Sequence, residues 1–112
     1  GQDFSKELLN EQKLLMFVLY NLSKSNFDIS KQMINKSKAA AENGYKVIAI
    51  TASGIDKQIE IKEKYGFEFD FYTCDETALK TIIRSNPGVL EIKSGTIVNK
   101  WHYNDFNKIR FD

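Results

Sequence analysis

The sequence predicts an α/β protein, a three-layer α/β/α sandwich whose single mixed sheet ends in an antiparallel hairpin. Short apolar runs alternate with amphipathic stretches over residues 14–84, and this alternation is typical of parallel strands joined by helices. Two further strand-like runs meet at a Ser94-Gly95 turn, which indicates the terminal hairpin. A length of 112 residues suits one domain, so we expect residues 8–112 to form it and the polar residues 1–7 to be a flexible lead-in.

The first strand and helix are predicted from a change in the period of the apolar residues. Residues 14–20 form a continuous apolar run, which suits a strand buried on both faces of a parallel sheet. From Ile29 onward the apolar residues recur at helical spacing, with Asp28 as the expected N-cap and Gly44 beyond the C-terminal end. Residues 45–51 then predict a second short buried strand.

The second helix is predicted to begin at a capping box that opens with Ser53 and to end at Gly66. Its expected buried face carries Ile55, Ile59 and Tyr65. Residues 67–71 then alternate strictly between phenylalanine and acidic side chains. This alternation predicts a half-exposed strand near a sheet edge.

A third helix is predicted to open with a capping box at residues 73–76. It should end before Pro87, because the residue that precedes a proline avoids helical backbone angles. The expected buried residues of this helix are Ala78, Leu79, Ile82 and Ile83.

The terminal hairpin is predicted from residues 89–93 and 96–103. Alternation along its second strand puts Trp101 and Tyr103 on one face, where we interpret them as core residues, and an exposed His102 on the other. Two residues of the tail are expected to dock on the sheet, Phe106 and Ile109.

Composition and charge exclude several classes of function. The chain has 16 Lys+Arg against 15 Asp+Glu, so a net charge of +1 argues against a nucleic-acid binder with a broad basic face. It lacks an apolar stretch of about 18 residues, so we expect no part of this chain to insert into a membrane. One cysteine leaves no intramolecular disulfide, and one histidine excludes most zinc sites. The glycines do not cluster as in a phosphate-binding loop, and we expect no metal and no cofactor.

The order of the elements carries a resemblance to a known fold. A β-α-β opening, followed by a proline directly before an antiparallel hairpin, resembles the thioredoxin fold. The extra strand and helix at residues 67–84 resemble the insertion of its peroxiredoxin and TlpA-type branches. The resemblance implies a cis Asn86–Pro87 bond that faces the redox site of this fold.

A second resemblance rests on particular motifs. The sequences LKTIIRSNPG at residues 79–88 and GTIVNKW at 95–101 are similar to the soluble C-terminal region of bacterial DoxX-like integral membrane proteins. The turn at residues 51–54 and the Asp75-Glu76 pair are also similar to that group. This resemblance implies that the chain is tethered to a membrane through its parent protein, with the extracytoplasmic (periplasmic) side favoured.

The residues that thioredoxin-type chemistry requires are missing. That chemistry needs two cysteines, two residues apart, where the first strand meets the following helix. Residues 21–28 read NLSKSNFD and hold no cysteine. The catalytic residues of the family therefore carry over to no position in this chain, and we expect no dithiol oxidoreductase activity.

Cys74 is the remaining redox candidate. We expect it in the first turn of the third helix, where a helix N-terminus stabilises a thiolate. The carboxylates of Asp75 and Glu76 act in the opposite direction. Isolated cysteines are also commonly buried and inert. We therefore interpret Cys74 as structural, and keep a single-cysteine redox enzyme or sensor as the alternative.

The leading hypothesis is a binding or accessory module without enzyme activity. Retention of the proline loop, together with loss of the cysteine pair, points to a protein or peptide partner held on the former redox surface. The candidate binding residues lie on two loops: Lys24, Ser25 and Asn26 on one, and Ser85, Asn86 and Pro87 on the other. A third hypothesis is a structural cap that only stabilises its parent membrane protein.

Overall fold

The computed structural model describes residues 12–83 and 85–111, and the predicted lead-in at residues 1–7 lies outside them. The strands and helices of the described part are β1 (Lys13–Val18), α1 (Ser30–Glu42), β2 (Lys46–Thr51), α2 (Ile55–Tyr65), β3 (Asp70–Thr73), α3 (Glu76–Ile82), β4 (Gly88–Lys93) and β5 (Thr96–His102). Short 3-10 segments at Leu22–Lys24, Phe27–Ile29 and Tyr103–Lys108 connect or extend them.

The strands form one mixed sheet in the order β3-β2-β1-β4-β5. The central strand β1 is parallel to β2, with Leu15 opposite Val47. It is antiparallel to β4, with Leu15 opposite Glu91. Strands β2 and β3 are parallel, whereas β4 and β5 form the antiparallel hairpin. The predicted α/β class and mixed sheet are therefore confirmed.

Two hydrophobic cores cover the two faces of the sheet. Alternate residues of β1 enter different cores, because side chains along a strand point to opposite faces. Leu15 and Phe17 join the core beneath α1, α2 and the tail, whereas Leu14 and Met16 join the core beneath α3. The continuous apolar run of β1 is thus explained by burial on both sides.

Helix α2 turns a different face to the core than the sequence predicted. Ile55 and Ile59 are 48% and 50% exposed, while Gln58 and Ile61 are buried. Gln58 can be buried because its Nε2 atom donates to the Ser53 carbonyl and to Thr73 Oγ1 at 2.8 and 3.0 Å. Of the three residues predicted to be buried, only Tyr65 packs against the core, and it is half-buried.

The helix starts also differ from the predicted caps. The N-cap of α2 is Gly54, and Ser53 Oγ instead accepts a hydrogen bond from the Leu22 N–H. Asp28 does not cap α1, because it lies within the preceding 3-10 segment and α1 begins after Ile29 without a side-chain cap. The N-cap of helix α3 is Asp75, whose carboxylate accepts a hydrogen bond from the Ala78 N–H. The predicted capping box at residues 73–76 would have placed the N-cap at Thr73.

The phenylalanine-rich segment alternates between buried and exposed residues, as predicted, but its hydrogen-bonded pairing with β2 begins later in the sequence than predicted. Phe67 and Phe69 are buried and Glu68 and Asp70 are exposed. Ladder pairing with β2 starts only at Asp70, so β3 is a short edge strand. The predicted edge position is confirmed, and the predicted start of the strand is wrong.

In α3, Leu79 is buried but the expected core residue Ala78 is exposed.

The hairpin and tail follow the prediction closely. The turn residues Ser94 and Gly95 both have positive φ, which matches the right-handed twist of a two-residue hairpin. Phe106 and Ile109 are 0% and 1% exposed beneath the sheet. His102 is exposed, as expected, and its Nδ1 atom accepts the Asn104 N–H to start the final 3-10 segment.

Glu91, on β4, is a buried charged side chain that is 5% exposed. The Tyr45 hydroxyl donates to one of its carboxylate oxygens, and Asn99 Nδ2 donates to the other at 2.6 Å. These donors compensate for the loss of water around the carboxylate.

None of the helices in the described part is long and apolar enough to cross a membrane.

Candidate functional site

The two loops that the sequence analysis identified lie against each other at the end of the sheet where β1 finishes and β4 begins. One loop follows the C-terminal end of β1, and the other precedes β4, the antiparallel neighbour of β1. The Asn26 N–H donates to the Asn86 carbonyl at 3.0 Å. The Asn86 side chain continues this contact, since its Nδ2 atom donates to the Asn21 carbonyl at 2.9 Å. We call this contact the loop junction.

Ser25 completes the loop junction. Its hydroxyl donates to Asn86 Oδ1 at 2.6 Å and also lies 2.9 Å from the Asn21 carbonyl. The carbonyl and both side-chain polar atoms of Asn86 are therefore engaged by the loop after β1. Asn86 is therefore a polar link to residues far away in the sequence: it lies 61 residues after Ser25 and 65 residues after Asn21.

Ser85, Asn86 and Pro87 are buried rather than displayed on the surface. Ser85 Oγ donates to the Pro87 carbonyl at 2.6 Å and accepts from the Tyr103 N–H at 3.0 Å. The Asn86–Pro87 peptide bond is cis. The proline loop thus forms the inner wall of the junction, and the loop after β1 is the more exposed of the two.

The loop after β1 is shaped by its own side chains. Asn21 Oδ1 accepts the Ser23 N–H and Asn26 Oδ1 accepts the Asp28 N–H, each at 3.0 Å. Each asparagine therefore starts a short 3-10 segment, which accounts for the turn formers of this stretch. The side chain of Lys24, the remaining predicted residue, lies outside the described part of the structure.

Cys74 lies at the same end of the sheet but not inside a helix. It follows β3 and precedes Asp75, the N-cap of α3, so the expected place in the first turn of that helix is wrong. The Cys74 N–H donates to the Thr51 carbonyl at 2.9 Å, which extends the β2–β3 pairing. Its half-buried thiol packs against the core beneath α3. Since it is the sole cysteine in the sequence, it has no partner for an intramolecular disulfide.

A groove of about 380 Å³ opens beside the loop junction, and the sequence did not indicate it. One wall is the loop after β1, including Ser23 and Ser25. The other is α2, through Lys57, Ile61 and Lys64. Positions i, i+4 and i+7 share one helix face, and this spacing was the available signal.

The electrostatics of the groove centre on its helical wall. Lys57 Nζ lies 2.6 Å from a carboxylate oxygen of Glu60, and both side chains are exposed. This hydrogen bond and the positive charge of Lys57 lower the pKa of the Glu60 carboxyl below its ordinary value. Chemically, the site offers hydroxyls, amides, aromatic rings and ammonium groups, all suited to binding rather than to thiol exchange.

The fold is similar to several solved structures. A peroxidoxin from Mycobacterium tuberculosis superposes with a TM-score of 0.67 at 10% identity, covering 91% of this chain and 77% of that one. The thioredoxin domain of a thiol-disulfide oxidoreductase from Bacteroides vulgatus gives 0.66 at 10% identity, covering 89% and 78%. A hypothetical protein from Sinorhizobium meliloti gives 0.64 at 15% identity, covering 85% of this chain but only 58% of its own length.

The sequence matches no family model and no curated protein. At 10–15% identity, the structural likeness carries information about the fold alone. The expected thioredoxin-like architecture is confirmed by that likeness.

Proposed function

We propose that this chain, which has a thioredoxin-like fold, is a binding or accessory module without dithiol redox activity. The single observation that carries the proposal is the content of the loop junction. Where the fold would present two thiols, Ser25 and Asn26 hydrogen-bond to Asn86. A serine hydroxyl forms no disulfide, so the junction holds its shape but cannot accept or pass on a disulfide.

The proposed binding surface is the exposed side of the loop after β1. Ser25 and Asn26 belong to this surface, Lys24 precedes them in the same loop, and Ser85, Asn86 and Pro87 support it from within. Fixing a loop by internal hydrogen bonds lowers the entropy that a partner must remove on binding. A protein or peptide partner, with no nucleic acid and no cofactor, fits this arrangement.

We further propose that the module is carried by a DoxX-like integral membrane protein, on its extracytoplasmic side. The motifs at residues 79–88 and 95–101 support this proposal. Residues 85–87 of the first motif form the inner wall of the loop junction, and so the resemblance includes the proposed site.

Partner retention by the full-length membrane protein tests the proposal. Lys24→Glu reverses a charge on the loop, and Lys31→Glu makes the same change at an exposed position of α1 as the matched control. We expect chemical crosslinking to recover a partner with the control and with the unaltered protein, but not with Lys24→Glu. Equal recovery with both variants would contradict a binding role for this loop.

The two other hypotheses have separate tests. A lone, half-buried thiol packed against the α3 core supports a structural role for Cys74 over single-cysteine redox chemistry. A purely structural cap would be supported if deletion of the domain lowered the amount of folded parent protein without changing its partners.

A further inference from the structure

Apolar and aromatic residues lie at the floor of the groove beside the loop junction, between walls that are mainly polar. Leu22 and Ile61 are almost fully buried there. The rings of Phe27 and Tyr65 stack with their centroids 4.6 Å apart, and both residues line the groove. Both residues are half-buried, and the part of the stack that stays exposed offers an apolar contact to an aliphatic or aromatic side chain.

Two lysines flank this floor along α2. Lys57 and Lys64 are seven residues apart on one helix face, which separates their Cα atoms by about 10 Å along the helix axis. Lys57 is paired with Glu60 on the surface, and exposed pairs of this kind are weak enough for another carboxylate to replace one partner. Lys64 Nζ lies 5.5 Å from the centroid of the Tyr65 ring and makes no ion pair with the residues that the structure describes.

We infer that the groove binds an extended acidic peptide, with two carboxylates three residues apart and apolar side chains between them. The inference rests on the proposed function, since it names the ligand class of that binding module. In a polyproline-type chain, three residues advance about 9 Å and return the side chain to the same side. This repeat matches the spacing of Lys57 and Lys64, while the Phe27–Tyr65 stack receives the apolar side chain.

Asp28 restricts how the peptide lies. It lines the groove on the loop wall and is exposed. Its carboxylate repels an acidic side chain on that wall, so the acidic residues of the ligand face α2. A peptide with acidic residues on every side is therefore a poorer ligand than one with acids on one side only.

Fluorescence anisotropy with short labelled peptides tests this inference on the full chain. The probe is acetyl-Glu-Leu-Phe-Glu-amide, and acetyl-Gln-Leu-Phe-Gln-amide is its neutral control. The variant Lys57→Glu/Lys64→Glu reverses both groove charges. The matched control is Lys31→Glu/Lys38→Glu, which reverses two exposed lysines with the same spacing on α1. Circular dichroism of both variants establishes that they are folded.

The inference predicts that the acidic probe binds at least about tenfold more tightly than the neutral one, and that the groove variant loses this difference. The α1 variant should change binding by less than about twofold. Amide chemical shifts should move at Leu22, Phe27, Ile61 and Tyr65. Equal binding of the two probes, equal loss in both variants, or shifts elsewhere would overturn the inference.

The failure of this inference and of the proposed function are separable. Loss of partner capture by Lys24→Glu, with no binding of the acidic probe, overturns the peptide inference and leaves the binding module standing. Catalysis of disulfide exchange by the chain overturns the proposed function whatever the probe does.

Discussion

Ser25 donates a 2.6 Å hydrogen bond to Asn86, which lies 61 residues further along the chain. The bond joins the loop after β1 to the loop before β4, at the place where a thioredoxin-type enzyme would present its thiols. This contact holds the two loops in one arrangement. The stability of the domain should therefore depend on residues of the proposed site.

Ser25→Ala should lower the free energy of unfolding by about 1 kcal/mol, because it removes the Oγ donor from Asn86 Oδ1 in a partly buried place. Urea denaturation followed by circular dichroism measures the change. Ser23→Ala, at an exposed neighbouring position, is the control and should change stability by less than about 0.5 kcal/mol. Equal effects of the two substitutions would contradict a structural role for the Ser25–Asn86 bond.

Replacing residues of α2 tests which face of the helix is buried. Ile61→Ala should cost about 2–5 kcal/mol, because the side chain lies in the core. Ile55→Ser and Ile59→Ser should each change stability by less than about 1 kcal/mol, since both side chains are about half exposed. If the serine variants proved as costly as Ile61→Ala, α2 would be rotated toward the face that the sequence predicted.

Cys74→Ser should leave partner capture by the full-length protein unchanged, because the thiol packs against a core and faces no second cysteine. The thiol should also react more slowly with iodoacetamide in the folded chain than in urea, as expected for a half-buried group. Mass spectrometry measures the alkylated fraction over time. Loss of partner capture in Cys74→Ser would favour the redox alternative.

The Lys57–Glu60 pair makes a prediction about pH. The hydrogen bond and charge of Lys57 lower the pKa of the Glu60 carboxyl in the folded chain. A carboxyl with a lowered folded pKa stabilises the fold above its unfolded pKa, and this contribution is lost as the pH falls through the folded pKa. Lys57→Ala should therefore raise the pKa of Glu60, which NMR titration of the carboxyl carbon measures. An unchanged titration would show that the pair does not persist in solution.

The periodicity of the sequence was sufficient to predict a mixed sheet with helices on both faces. Residues 14–18 of β1 are all apolar and are buried on both faces of the sheet, and the alternation at Phe67 and Phe69 is kept at the sheet edge. These features depend on local hydrophobic pattern, which folding follows closely. The orientation of α2 was not predictable in this way, because burial of Gln58 depends on acceptors in Ser53 and Thr73.

The candidate site was predictable in part. The resemblance to the thioredoxin fold predicts that the loops after β1 and before β4 lie together, and the structure brings them into contact through Asn26 and Asn86. The hydrogen bonds of Asn86 depend on tertiary placement, so nothing in local sequence indicates them. The groove was missed for the same reason: one of its walls, α2, is not adjacent in sequence to the loop after β1.

The central claim is that a thioredoxin-like fold here carries a polar loop junction in place of a dithiol. The most direct test is the rate of insulin disulfide reduction by dithiothreitol, with the chain present or absent and with Cys74→Ser as a second sample. We expect the same rate in all three cases. A faster rate with the unaltered chain, lost in Cys74→Ser, would contradict it and assign redox chemistry to the lone cysteine.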